Sequence, residues 1–462
     1  MSKPRPPHAS DTGSAIDAVV ANAAAAGVAR VSFGCFDWNG RLRATQSPVD
    51  ALAGALHEGL PLTSAIFATD TAEQPILTGW FHDPANGYRD AWLQPDPRSA
   101  RRDPYADGAP GLLLLGELRG EFAACCPRAI LRRQLEALGR LGFACRAAFE
   151  LEYHVLLETP ASLRAKVPAA LERHPALERM YSYVDQALAA PLFDATRAAA
   201  AACGIPVHSL HAEFSGLLEV ALGVSDGLAA ADHAGLFKAV AKIVARRQGA
   251  LATFMAQLAS PFESAGGHLN VSLRALADDR PVFHAPGGAC DPVLRAFIGG
   301  LQRHTPELML LHLPHLNSCK RFRGDGFAPR VNSWGYDNKT CAIRVVTTNP
   351  ELARIEFRVP GADVQPHLAL AAVLAAGRRG IEQELAPSAP VVGDAAAPYA
   401  PRGPAFPLDF AAAITAWRES AFARETFGDF FVDAYALSRE WEIDQLARTV
   451  TDWELRQFGE GV

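Results

Sequence analysis

The chain has 462 residues, more than one ordinary hydrophobic core organises, so two domains are expected. Its 49% hydrophobic and 20% charged residues are those of a globular protein, and a formal charge of −6 leaves no basic footprint for nucleic acid or an anionic membrane. Eight cysteines without a CxxC pair read as buried free thiols, and the Pro-rich start lacks the apolar core of a signal peptide, so a cytoplasmic protein is expected.

Taken in order, residues 1–13 are Pro- and Ser-rich and read as disordered. A helix over roughly 14–27 leads into a strand at Val31–Phe36 and the turn Asp37-Trp38-Asn39-Gly40, where Asn-Gly between apolar runs signals a hairpin. Short strands and turns continue to about Leu118 and predict a small mixed-sheet domain. A boundary is expected near Cys126-Pro127. Pro127 then opens an amphipathic helix carrying Ile130, Leu131, Leu135, Leu138 and Leu141, with Gly142 as its stop.

Four later segments alternate in polarity with period two, the signature of strands with one apolar and one polar face. Ala148–Val155 puts Glu150, Glu152 and His154 on one face and Phe149, Leu151 and Tyr153 on the other. His208–Glu213 and Leu217–Leu222 read as a kinked pair carrying Glu213 and Glu219, ahead of a long helix over about 226–248. Gly266–Leu273 presents His268, Asn270 and Ser272 together. Arg354–Val359 sets Arg354, Glu356 and Arg358 against Ile355, Phe357 and Val359, between an apolar strand and the long Ala/Leu helix after Pro366. The segment 386–404 reads as a loop, and helices close the chain after Leu408.

An interior strand with charges needs partners for them. Convergence of the polar faces would bring together five carboxylates and one imidazole. At an effective dielectric near 20, two like charges about 4 Å apart cost about 4 kcal/mol. Divalent cations offset that cost, and oxygen ligands with a single imidazole suit magnesium or manganese better than zinc. Neither a GxxxxGK[ST] nor a GxGxxG motif occurs. The basic residues Lys320, Arg321, Arg323, Lys339, Arg344, Arg354 and Arg358 cluster instead, as stabilisation of a transferred phosphoryl group requires.

With these residues in place, the chain resembles the glutamine synthetase family of the bacterial dodecameric type, from about residue 26 to Phe458. The resemblance is carried by Phe149-Glu-Leu-Glu-Tyr153, Gly266-Gly-His268, Asn317-Ser-Cys-Lys-Arg321 with Ala328-Pro329, and Trp334-Gly-Tyr-Asp-Asn338. Arg354-Ile-Glu-Phe-Arg358, Gly361-Ala-Asp363 and Val450-Thr-Asp-Trp-Glu454 complete it. It implies an α+β fold. A tail and leading helix (1–25) would precede an N-terminal β-grasp domain (26–124) and a catalytic domain (125–462), whose curved antiparallel sheet carries the metal site. Active sites would lie between neighbouring subunits of a homo-oligomer, a dodecamer of two hexameric rings.

By position, the resemblance implies that Glu152, Glu213 and Glu219 bind one metal ion, and Glu150, His268 and Glu356 a second. Arg321, Arg358 and the backbone near Gly266 would hold glutamate. Arg344, Arg354 and Lys339 would serve phosphoryl transfer, and Asn270 and Ser272 would join Arg344 and Arg354 around ATP. The implied chemistry phosphorylates the γ-carboxylate of glutamate from ATP, and an amine then displaces phosphate.

The departures from the family pattern concern the acceptor. The flap glutamate of ammonia-using members is Phe327 here, and their Asp-Gly-Ser-Ser stretch corresponds to Leu60–Ile66, which has no acid. Phe327, with Leu217 where the family usually has Gln, would suit an organic amine, as in the γ-glutamyl-amine ligases that act on polyamines, ethanolamine, alkylamines or anilines. Ser264-Ala265 replaces the glycine-rich start of the His268 strand, and Lys339 keeps the charge of an arginine without its bidentate fork. The alternatives are glutamine synthesis from ammonia and a catalytically silent ring protein.

Overall fold

The structure, a computed structural model, describes residues 9–76, 84–105, 109–259, 262–284, 291–323, 326–347 and 349–461. The leading helix runs Ala9–Ala25, so it begins inside the stretch expected to be disordered. Its many alanines favour helix, and Gly27, at φ +63°, terminates the turn that follows.

The expected hairpin is present as β1 (Arg30–Phe36) and β2 (Leu42–Pro48). Asp37 Oδ1 accepts the backbone N–H groups of Asn39 and Arg41, and Gly40, at φ +73°, supplies the left-handed residue of the turn. The sheet adds β3 (Leu60–Thr63), β4 (Asp90–Pro95), β5 (Arg101–Asp103) and β6 (Gly111–Leu118) in the order β2-β1-β6-β4-β3, with β5 also on β6. β1 and β6 run parallel between antiparallel neighbours, the mixed arrangement of a β-grasp unit.

The second sheet has nine strands: β7 (Phe143–Leu156), β8 (Val207–Ala212), β9 (Leu217–Leu222), β10 (Ser225–Asp226), β11 (Leu251–Thr253), β12 (Gly267–Ala275), β13 (Trp334–Tyr336), β14 (Ile343–Val346) and β15 (Arg354–Phe357). Their order is β13-β14-β15-β12-β7-β9-β8, with β10 and β11 also on β7. The sheet is antiparallel as expected, apart from the parallel β13–β14 pair at its edge. Alternation along β7 buries Phe149, Leu151 and Tyr153 fully. Tyr153 stacks on Phe254 at 4.9 Å and meets Phe237 of the helix Gly227–Arg247 edge-on.

Behind that face the helices Pro292–His312 and Pro366–Glu382 pack backbone to backbone. A Cβ on Gly300 would lie 2.1 Å from Ala376 O, and one on Gly380 2.1 Å from Ala296 O, so glycine is required at both crossings. Arg128, at the start of the helix Pro127–Arg140, ties the two sheets together. Its buried guanidinium bonds Asp96 after β4, Glu117 on β6 and Asp232 on the helix Gly227–Arg247, and Asp232 in turn meets His367 Nε2 at 2.9 Å. The seven described cysteines are free and buried; Cys290 lies outside the described residues. Among the described residues no helix is long and apolar enough to cross a membrane.

Candidate functional site

The polar face of the nine-stranded sheet is assembled by strand register. His268 on β12 lies opposite Glu150 on β7, and Asn270 lies opposite Glu356 on β15. Arg344 on β14 is the other neighbour of Glu356, and Glu219 on β9 lies opposite Glu152. The expected ligands therefore do converge. Glu150, His268 and Glu356 offer ligand atoms within 4.8 Å of one another, and so do His211, Glu213 and Glu219.

The second group differs from expectation in one member. Glu152 stands beside it, with Oε2 accepting the Gly266 N–H at 2.5 Å. His211 joins it instead, its Nε2 being 3.0 Å from Glu213 Oε1 and 3.9 Å from Glu219 Oε1. His211 on β8 and Glu213 just after it are two residues apart and share one side, a signal present in the sequence. Tyr181 carried no such signal. Held at φ +55° by its N–H bond to Ala212 O, it stacks its ring on His211 at 4.2 Å.

The electrostatics divide the acids. Glu356 is buried between Arg344, whose Nη1 reaches Oε2 at 2.7 Å, and Arg358, which bonds Oε1. Burial opposes its charge, but His268 and Arg358 outweigh that and hold its pKa low. Glu150 is likewise penalised by burial yet drawn down to about 2 by His268, Asn270 and Arg354. Glu219 goes the other way: burial, then the negative charges of Glu152, Glu150, Glu213 and Glu356, push it up to about 8. A carboxylate strained in this way by its neighbours fits a divalent cation, and so does a donor set of oxygens with few imidazoles.

The basic residues surround this core. Arg354 Nε donates to Asn270 Oδ1, and Asn270 Nδ2 donates to Glu150 Oε1, a relay from β15 across β12 to β7. Ser272 follows on the same side of β12, half-buried. Arg344 also binds Asp337, and Asp337 and Lys339 line an open cavity of about 420 Å³ together with residues 390–393. The run Lys320–Arg323 divides: Lys320 and Arg323 are exposed, whereas Arg321 and Phe322 are buried. Arg321 donates to Val359 O at 2.7 Å, and burial lowers its pKa to about 10. Arg321 and Arg358 each leave a buried Nε–H without a partner, spare donors of the kind a bound carboxylate satisfies.

Gly266 has no room for a side chain: a Cβ would lie 2.8 Å from His268 Nε2 and 3.1 Å from Glu152 Oε2. The two proposed acceptor residues separate. Phe327 is 70% exposed beside Ala328-Pro329, whereas Leu217 is 2% exposed and belongs to the apolar core.

Comparison with known proteins agrees with this arrangement. The glutamine synthetase catalytic domain pattern matches residues 124–458. A glutamate–isopropylamine ligase of Pseudomonas sp is 33% identical over 439 residues, covering 93% of this chain and 94% of that protein. A gamma-glutamylethanolamide synthetase of Streptomyces coelicolor is 35% identical over 395 residues, covering 84% of this chain and 82% of its own length. The solved structure of apo GmaS without ligand superposes with a TM-score of 0.81 over 96% of this chain and 99% of that one, at 23% identity, a likeness of fold. The chain belongs to the glutamine synthetase family and is a ligase of that family.

Proposed function

We propose that this chain is an ATP-dependent carboxylate–amine ligase that joins the γ-carboxyl group of glutamate to an organic amine through a γ-glutamyl phosphate. The observation that carries the reading is the pairing of converged carboxylates and arginines with an apolar residue, Phe327, on the loop before Ala328-Pro329. Relatives named for isopropylamine, ethanolamide and putrescine products support the same class.

In this reading Arg321 and Arg358 hold the carboxylates of glutamate with their spare N–H groups, and the backbone near Gly266 contacts the substrate. Arg344, Arg354 and Lys339 face the ATP phosphates and stabilise charge on the transferred group, with Asn270 and Ser272 completing the nucleotide side. The groups Glu150–His268–Glu356 and Glu213–Glu219, with Glu152 and His211, would hold two Mg²⁺ or Mn²⁺ ions. When bound, such ions polarise phosphoryl oxygens and neutralise the charge of the five carboxylates. The amine nitrogen then attacks the γ-carbonyl carbon, the C–O bond to phosphate breaks, and an amide and phosphate result.

Residues 26–124 and 125–462 form the N-terminal and catalytic units of the proposed cytoplasmic enzyme, which assembles as a dodecamer of two hexameric rings. Phosphate release with glutamate, ATP and Mg²⁺ against isopropylamine, ethanolamine, putrescine, aniline and ammonium tests the function. Turnover with an organic amine well above that with ammonium is expected; full turnover with ammonium alone would overturn the reading.

A further inference from the structure

We propose that Glu263 is the carboxylate that captures the acceptor as its ammonium cation beside the flap and takes its proton. This rests on the reading of the chain as a γ-glutamyl-amine ligase. An alkylammonium has no lone pair, so it must lose a proton before it can attack an acyl phosphate. The stretch Leu60–Ile66 contains no acid, and Phe327 is apolar. Four carboxylates of the metal groups are engaged elsewhere, Glu356 by two arginines, Glu152 by the Gly266 N–H, Glu150 by Asn270 and Glu213 by His211, and the fifth, Glu219, lies among them on β9, 3.9 Å from His211 Nε2.

Glu263 differs in each respect. It is exposed, and among the described residues no cation or hydrogen-bond donor pairs with its carboxylate. Its position is nevertheless defined. A Cβ on Gly326 would lie 2.9 Å from Glu263 Oε2, so the carboxylate rests against the flap backbone one residue before Phe327. The segment carrying it is fastened on both sides. Phe262 packs 5.8 Å from the ring of buried His154 and lies under the Arg173 guanidinium at 4.8 Å. Ala265 N–H donates to Ala256 O, and Gly266 N–H donates to Glu152. Glu263 thus sits against the residue that precedes Phe327 and three residues from the backbone group that bonds Glu152. A carboxylate against a flap that also carries an exposed phenyl side chain matches an ammonium group attached to a hydrocarbon body.

The proton balance is complete. R–NH₃⁺ gives one proton to the Glu263 carboxylate and becomes R–NH₂. Its lone pair forms the C–N bond as the C–O bond to phosphate breaks, and the second proton leaves on the departing phosphate, giving the amide and HPO₄²⁻. Glu263 returns its proton to solvent.

The test compares wild type, Glu263→Gln and Glu263→Asp with glutamate, ATP and Mg²⁺. The acceptors are the best amine of the panel above and hydroxylamine, which is already mostly uncharged at neutral pH. For Glu263→Gln we expect the ratio of amine to hydroxylamine kcat/KM to fall at least about tenfold near pH 7. The deficit should arise mainly in KM for the amine and shrink as alkaline pH supplies free amine; Glu263→Asp should lie between. Unfolding midpoints of all three should agree, since the side chain is exposed. An unchanged ratio, or a deficit that does not shrink with pH, would overturn the role of Glu263 while leaving the ligase reading intact. A wild type that prefers aniline, which is already uncharged at neutral pH, would overturn it as well. A wild type that uses ammonium alone would overturn the ligase reading itself.

Discussion

Glu219 on β9 and Glu152 on β7 are direct cross-strand neighbours, two carboxylates in register on adjacent antiparallel strands. Like charges so placed destabilise a sheet, and burial adds to the cost. The pair is tolerable when a divalent cation binds next to it. Mg²⁺ or Mn²⁺ should therefore raise the unfolding midpoint of metal-stripped protein, and Glu219→Gln should raise the midpoint of the stripped protein while reducing the gain from metal. Calorimetry with and without chelator measures both, and equal gains in the two proteins would remove Glu219 from the metal group.

Glu356 neutralises Arg344 and Arg358 while offering an oxygen to the His268 group. Glu356→Ala should lower turnover by at least about a hundredfold, because it removes a ligand and leaves two guanidiniums without their shared acceptor. Retained activity in a phosphate-release assay would contradict its place in the site.

Gly266 offers a sharper probe of geometry. A methyl group there would meet His268 and Glu152 side chains that are themselves held in place. Gly266→Ala should weaken metal binding and activity by about tenfold or more, with a modest change in unfolding midpoint. Isothermal titration with Mn²⁺ separates those effects; unaltered affinity would show that the site has slack.

Phe327 is exposed, and in the proposed reading it faces the acceptor amine. Phe327→Glu should raise KM for an apolar amine by about tenfold, the order associated with losing an apolar contact. An unchanged order of preference among the amines would place Phe327 outside the acceptor pocket.

The network around Arg128 predicts acid sensitivity. Burial opposes the charge of Asp232, but Arg128 and His367 hold its pKa below the usual carboxylate range, and His315 and Arg439 similarly bring Glu442 to about 2. A depressed carboxylate stabilises the fold above its unfolded pKa and loses that contribution as pH falls through the folded value. Stability should therefore be flat near neutrality and fall from about pH 4 downward. Asp232→Asn should cost about 3 kcal/mol at pH 7 and flatten that fall. An equally steep acid profile in Asp232→Asn would mean that other groups govern it.

Much of the site was legible in the chain because strand alternation is a local property. Glu150 and Glu152, His268 and Asn270, and Arg354, Glu356 and Arg358 each fall on one side of a strand whichever sheet receives it. The Ala/Leu helix after Pro366, the Asn-Gly hairpin and the Pro127 helix start are likewise written in neighbouring residues. The start of the first helix at Ala9 was not, since the flanking prolines suggested disorder while the alanines decided otherwise.

What the amino-acid order settled by itself is which side chains share a face, because that depends on a period of two residues. Only the tertiary structure decided which faces meet. The order β14-β15-β12-β7-β9-β8 brings Glu356 beside His268, Glu152 beside Glu219, and His211 within 4.8 Å of Glu213 and Glu219. It also sets Glu263 against Gly326 and Arg128 against Asp232, 104 positions apart. Those neighbours are chosen by hydrogen-bond register and helix packing across the whole fold, and no local repeat encodes a register between strands far apart in sequence.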